Sequence, residues 1–252
     1  MIARLLASAV LGAALSATAL AADLPSIKGP PVYTPPPAFS WTGFYIGIAG
    51  GGAWGSAEQT DSSPFSSGRY RVSGGLVGGS VGYNWQVNNF VFGLEGDGSA
   101  AWVSGSTFGT NTISCYGNPA HCAADLEALG TARGRVGIAF DRFLPYVTGG
   151  VVVGSLHGQE GYVIAPGEGG SGTTTVSGWT IGAGIEAKLS PNWSANLEYL
   201  HVDLGDYAIF DETIPGFGVL AQHIRFTSEI VRAGLNYRFD MFAPPAPVVA
   251  KY

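Results

Sequence analysis

The chain has 252 residues, of which only 12% are Asp, Glu, Lys or Arg, about half the share usual in soluble domains. Its mean hydropathy is positive at +0.22, which excludes an ordinary charged surface, and 18 acidic against 12 basic residues exclude nucleic acid as a partner. Glycine supplies 39 residues, roughly twice the usual share. Glycine packs poorly in a strand, and a crowded barrel lumen or a bend in the wall gives it a place.

The first residues, MIARLLASAVLGAALSATALA, combine Arg4, an apolar run, and Ala19 and Ala21 in A-x-A spacing. They predict a secretory signal peptide over 1–21, cleaved after Ala21. Loss of Arg4 leaves 11 basic against 18 acidic residues, a formal charge of −7. Residues 22–40 carry prolines at 25, 30, 31, 35, 36 and 37, which forbid helix and sheet interior and predict an extended periplasmic linker. No later stretch reaches the run of ~20 apolar residues that a membrane helix needs. If this exported chain enters a membrane, it must do so as a closed barrel.

Eight segments predict strands: about 42–55, 70–86, 90–104, 125–140, 145–158, 174–189, 193–207 and 222–239. The connections 87–89, 141–144 and 190–192 are tight, whereas 56–69, 105–124, 159–173 and 208–221 are long and rich in Gly, Ser, Thr, Asp and Pro. Short turns on one side and long loops on the other are the habit of outer-membrane barrels, and an even strand count leaves both termini in the periplasm. The expected architecture is all-β, an eight-stranded antiparallel up-and-down transmembrane barrel over 41–239. A Pro-rich tail, 240–252, follows it.

Alternation within the segments assigns faces. In the last, Val231, Ala233, Leu235, Tyr237 and Phe239 oppose Arg232, Gly234, Asn236 and Arg238. In the third, Phe90, Phe92 and Leu94 oppose Gly93, Glu95, Asp97 and Ser99, and in the fourth Val136, Ile138 and Phe140 oppose Thr131, Arg133, Arg135 and Gly137. The sixth sets Trp179, Ile181, Ala183, Ile185 and Leu189 against Thr180, Gly182, Gly184, Glu186 and Lys188; the seventh sets Trp193, Ala195, Leu197 and Tyr199 against Ser194, Asn196 and Glu198. The first and fifth segments alternate less cleanly. Apolar parities are expected to face lipid and polar ones the lumen.

Aromatic residues gather beside the short turns. Trp85, Phe90, Phe140, Phe143, Tyr146, Trp193, Tyr237 and Phe239 are expected to form the periplasmic girdle, with Trp54, Trp102 and Trp179 contributing to the outer one. Inward charges form the second group: Glu95, Asp97, Glu186 and Glu198 against Arg133, Arg135, Lys188, Arg232 and Arg238. An eight-stranded barrel has room for side chains and little else, so these charges are expected to pair and fill the lumen rather than line a filter.

Other motifs carry less. Gly50, Gly52 and Gly55 match G-x-G-x-x-G, and Gly182, Gly184 and Ala187 match its Ala variant, but neither sits in a βαβ unit, so no cofactor is expected. Those glycines read as lumen or bend positions. Cys115 and Cys122, the only cysteines, are six residues apart in the second long connection of an exported chain and are expected to form a disulfide. With His121 alone beside them they do not complete a metal site, and none is expected. His201 and Asp203 share a face, with Ser228 and Glu229 on the next segment. A His with a carboxylate and a hydroxyl nearby is the raw material of a hydrolase, kept as an alternative to a non-enzymatic role.

With these segments placed, the chain resembles the porin-family outer-membrane β-barrel proteins of alphaproteobacteria, surface antigens similar to opacity proteins and to the membrane domain of OmpA-like proteins. The matching residues are WTGFYIG (41–47), GYNWQ (82–86), GLEGD (93–97), GWTIGAGIE (178–186), LEYLHVDLG (197–205) and VRAGLNYRF (231–239). The resemblance implies insertion by the barrel assembly machinery, lipopolysaccharide and other outer-membrane lipid as surroundings, and a structural or surface-display role without catalytic residues. Its alternative is a binding module whose loops meet a host or environmental ligand. Two departures stand out: thirteen residues follow Phe239, and no peptidoglycan-binding domain follows the barrel.

Overall fold

The computed structural model describes residues 40–61, 68–109, 120–161, 171–214 and 218–239. The predicted signal peptide, the linker up to residue 39, the C-terminal tail and Cys115 lie outside them. The proposed disulfide therefore lies outside them too; Cys122 is a strand residue whose backbone pairs with Thr107 and Glu160.

Eight strands follow in chain order: β1 (Gly43–Asp61), β2 (Tyr70–Val87), β3 (Phe90–Gly109), β4 (Ala120–Ile138), β5 (Phe143–Gly161), β6 (Ser171–Lys188), β7 (Trp193–Ile214) and β8 (Gly218–Arg238). Each pairs antiparallel with its neighbours in sequence, and β8 returns to β1, giving a closed barrel. Closure runs from Tyr45↔Arg238 to Asp61↔Gln222, so no strand edge is left to face lipid. On the side of the tight turns the chain reverses through Asn88 and Asp141, both at positive φ (54° and 49°), which Asn and Asp tolerate better than most residues. At the other end the strands outrun their predicted bounds. The predicted fourth loop, 208–221, is largely ladder, with β7 and β8 paired as far as Ile214↔Gly218.

The outer wall is apolar, carrying exposed Ile46, Ile48, Val77, Phe92, Leu94, Val147, Val151, Ile181, Ile185 and Leu197. Trp85, Phe90, Phe140, Phe143 and Trp193 are exposed near the tight turns, and Trp193, Tyr237 and Phe239 stack edge to face with centroids 5.0 to 5.2 Å apart. Trp54, Trp102 and Trp179 form the opposite band. Phe44 and Trp54 are ten residues apart on β1; at ~3.3 Å per residue and a tilt near 40° this separates the two aromatic levels by about 25 Å, the height of a barrel's lipid-facing belt.

One predicted girdle member is misplaced. Tyr146 is buried in the lumen, on the same face of β5 as Leu144 and Thr148, while Phe143, Pro145 and Val147 face outward. Apart from Thr148, the stretch Leu144–Val153 is apolar, aromatic or glycine on both parities, so polarity barely marks its inner face.

Glycines split into two populations. On the inner face, a Cβ at Gly51 would overlap the carbonyl oxygen of Val231, one at Gly55 that of Thr227, one at Gly74 that of Trp102 and one at Gly178 that of Asp203. Here the tight coil of a small barrel brings neighbouring backbones where a side chain would go. Gly182, Gly184 and Gly55 are lumen positions, as expected. Gly50 and Gly52 are not: they alternate with buried Ala53 and point outward, and a Cβ on either meets nothing within 3.4 Å.

The two populations predict opposite responses. Gly178→Ala should lower the urea midpoint of the folded, heat-modifiable gel band by an amount equivalent to about 1–3 kcal/mol of overpacking, or prevent folding. Gly134→Ala, whose Cβ meets nothing within 4 Å, should leave that midpoint unchanged or slightly raised.

Candidate functional site: the filled lumen

The inner faces of β3, β4, β6, β7 and β8 meet in one buried charge cluster in the half of the barrel nearer the tight turns. Arg133 (β4) bonds Glu198 (β7) at 3.0 Å and Asp97 (β3) at 3.0 Å, and also Glu95 (β3). Arg232 (β8) reaches Glu198 at 2.7 Å and Asp97 at 2.9 Å. Arg135 (β4) bonds Glu186 (β6) at 2.9 Å and Asn84 (β2) at 2.9 Å, and lies 5.0 Å from the ring centres of both Tyr45 and Tyr146. These seven charged side chains are at most 8% exposed. Burial on that scale holds because each charge has an opposite partner within 4 Å, although Arg133 Nε and Arg135 Nη1 donate no hydrogen bond.

Neutral residues bond the carboxylates further. Tyr45 donates its hydroxyl to Glu95 at 2.6 Å, Tyr146 donates to Glu198 at 3.2 Å, Thr131 donates to Asp97, and Ser194 and Asn236 donate to Glu186. Thr131, Ser194 and Asn236 stand on the inner parity that alternation predicts, with no part in the cluster assigned to them there, and Asn84 joins them from β2. Tyr45 and Tyr146 lie on β1 and β5, the two strands whose alternation is least clean.

Of the nine predicted lumen charges, seven meet here. Lys188 and Arg238 do not. Both sit on the inner parity but at the last strand position before the periplasmic end, below the depth of the carboxylates. Arg238 instead donates to backbone carbonyls, that of Pro191 at 2.9 Å and that of Ser40, and so clamps the chain where it enters β1. Beside this clamp Trp41 is buried against Val91 and Leu144, and its backbone N–H donates to Gln86 at 2.7 Å.

The outer half of the lumen differs in kind. Ala53, Val72, Leu76, Val103, Leu126, Leu129, Val152, Leu156, Val176, Leu200, Val202, Leu204, Ile224, Phe226 and Ile230 form one buried apolar cluster there. On β4 the inner face passes from Ala124 and Leu126 to Leu129, Thr131, Arg133 and Arg135, an even-to-odd switch made by the irregularity at Glu127. The barrel therefore holds a polar, fully paired floor under an apolar plug. The rule that sends apolar residues to lipid misreads that level, because there the apolar parity (Val72, Leu126, Val202, Phe226) faces inward while Arg71, Asp125, Asp203 and Arg225 face outward.

The residues of the hydrolase alternative are divided by the wall. His201 Nδ1 lies 2.8 Å from Glu229 Oε1, and Tyr199 shares that carboxylate, all on the outward face at the level of Trp179. Ser228 points inward and is buried, with its hydroxyl toward the Trp54 carbonyl. Base and hydroxyl thus lie on opposite sides of the sheet. Among the described residues, no group of three or more His, Cys, Asp and Glu side chains is arranged to hold a metal ion.

An apolar exterior 25 Å tall between aromatic bands, closed without edges around a filled interior, defines a transmembrane barrel of the outer-membrane type. The outer membrane protein beta-barrel domain family matches residues 7–239, and the chain belongs to it. It is 34% identical over 245 residues to the 31 kDa outer-membrane immunogenic protein of Brucella melitensis biotype 1, covering 92% of this chain and 98% of that one. It is 32% identical to the 22 kDa outer membrane protein of Rhizobium leguminosarum, covering 66% of each. Among solved structures it is similar to the outer membrane protein OprG of Pseudomonas aeruginosa, at 12% identity and a TM-score of 0.45, covering 79% of this chain and 97% of that one. The protein resides in the outer membrane of a Gram-negative cell.

The cluster's energetics are testable. Arg133→Met leaves Glu95, Asp97 and Glu198 sharing Arg232, with Arg135 reaching Glu95 alone at 3.8 Å, and should destabilise the folded barrel by about 3–5 kcal/mol in urea titrations followed by tryptophan fluorescence. Lys188→Ala, outside the cluster, should cost at most about 1 kcal/mol in the same titration.

Proposed function

We propose that this protein stiffens the outer membrane and displays its outer strand ends and connections at the cell surface, without conducting solutes. The observation that carries this reading is the two-layered lumen. A hydrated ion entering from outside meets Phe226, Leu200 and Leu204 at 0–1% exposure, where it would lose its water with no polar group to replace it. An ion entering from the periplasm meets carboxylates and guanidiniums that already satisfy each other. Eight strands leave space for side chains, whereas an aqueous channel takes 16 to 18.

Planar bilayers holding the purified protein should show little or no conductance at any voltage. Steady openings of large-porin size would overturn the reading.

A second reading, recognition of a ligand by the surface connections, draws on the relatives' names. The Brucella proteins are called immunogenic, which fits chain segments presented outside the cell. Replacing residues 110–119 and 162–170 with two-residue turns should abolish binding of antibodies raised against whole cells while leaving heat-modifiable gel mobility intact. Full antibody binding by that variant would remove the reading.

A further inference from the structure

The described basic side chains fall into three groups of three. Arg133, Arg135 and Arg232 lie in the lumen cluster, and Arg142, Lys188 and Arg238 at the periplasmic end. Arg69, Arg71 and Arg225 make up the third group, and all of them stand on one outer sector, where β2 and β8 flank β1. Arg71 alternates with buried Tyr70 and Val72, and Arg225 with buried Ile224 and Phe226, so both point away from the lumen. Register sets Arg71 beside Ser56, Ser56 beside Thr227, and Glu58 beside Arg225.

Ser56, Glu58, Arg69, Arg225 and Thr227 together line a small polar cleft. The Ser56 and Thr227 hydroxyls are 3.2 Å apart. Glu58 holds Arg69 at 3.5 Å, and the nearby Asp206 faces His223 at 3.3 Å. Arg71 and Arg225 form no ion pair among the described residues. Register also sets Asp206 of β7 beside Arg225 and Asp203 beside Thr227; within the cleft itself, Arg69 and Arg225 against Glu58 leave the lining net positive.

Height narrows what the cleft meets. Ser56 lies two residues beyond Trp54 on β1, ~7 Å further along the strand than the outer aromatic level, where lipid headgroups begin. Toward the membrane centre, the same strands form an apolar trough lined by Ile48, Gly50, Val77, Ala195, Ala233 and Leu235. Gly50, Gly52, Gly75 and Gly79 border it on the outer face, and a Cβ on any of them would meet nothing closer than 3.5 Å. Packing within the wall therefore does not require glycine there.

We propose that this sector seats one phosphorylated glycolipid of the outer leaflet, the lipid A portion of lipopolysaccharide. A phosphate rests between Arg71 and Arg225 with the Ser56 and Thr227 hydroxyls donating to it, and an acyl chain lies in the trough below. Charge selects the occupant: the guanidinium fork matches phosphate oxygens with charge-assisted hydrogen bonds, and a trough continuous with the lipid-facing wall accepts a hydrocarbon chain rather than a soluble anion.

The test uses the full-length protein in phosphatidylcholine nanodiscs doped with bisphosphorylated lipid A, with co-retained lipid counted by native mass spectrometry after partial delipidation. The wild-type protein should retain bisphosphorylated lipid A in preference to phosphatidylcholine, and should retain lipid A stripped of its phosphates no better than phosphatidylcholine. R71Q/R225Q should lower retention at least tenfold, and R142Q, at the periplasmic end, should leave it unchanged. Gly50→Leu, which fills the trough without altering charge, should also lower retention, and keeps the test open if the double variant does not fold. Undiminished retention in R71Q/R225Q or Gly50→Leu, equal retention of phosphate-free lipid A, or release of the lipid by millimolar inorganic phosphate would overturn the proposal.

Discussion

The seam at which β8 returns to β1 is the constraint on which everything else rests. A membrane-spanning sheet with an open edge would leave a row of N–H and C=O groups in hydrocarbon, each costing several kcal/mol. Eight strands close that edge only by coiling tightly, and tight coiling draws neighbouring backbones together on the inside. Gly47, Gly51 and Gly55 answer this along β1, one in every four residues, each facing β8 where a Cβ would collide with it. The abundance of glycine is thus in part a geometric consequence of a small circumference. Between these glycines stand Tyr45, Ala49, Ala53 and Ala57, so the inner face of β1 presents little bulk beyond one tyrosine.

Once the ring is closed, its interior has to be filled, and the two fillings obey different rules. Near the periplasm, three arginines from β4 and β8 bind four carboxylates from β3, β6 and β7, tying together strands that are not adjacent in the sheet. Such a cluster adds little net stability over an apolar filling of the same volume, because desolvation offsets much of the attraction. Its particular value is register: a strand slipped by two residues would keep its faces but separate Arg133 or Glu198 from its partners. Nearer the outside, aliphatic side chains do the filling by shape alone.

Legibility from the amino-acid order followed this division. Where the lumen is polar, alternation marks it, and the inner faces of Glu95, Asp97, Arg133, Arg135, Glu186, Glu198 and Arg232 are legible in the sequence. Where the lumen is apolar, the contrast inverts: Val202, Leu204, Ile224 and Phe226 face inward, and His201, Asp203, Arg225 and Thr227 outward. On β5 contrast is nearly absent, which places Tyr146 in the girdle by sequence and beside Glu198 in the structure. Lys188 and Arg238 failed differently. Parity says which side of a wall a residue takes and is silent about depth, which depends on where the turn falls. Outward glycines such as Gly50 look the same as inward ones in the chain, since the distinction lies entirely in what a neighbouring strand brings close.

The two-layered interior also bears on how such a barrel gets into place. Chain delivered from the periplasm has to move its outer strand ends across the whole bilayer, while the strand ends beside the tight turns travel least. The lumen-facing guanidiniums and carboxylates lie in the half that moves the shorter distance, and the part of the inner face that travels furthest is Val, Leu, Ile, Phe and Ala. An inner surface graded in this way asks the least electrostatic work of insertion, because its ionised groups stop before the outer leaflet and find their partners there.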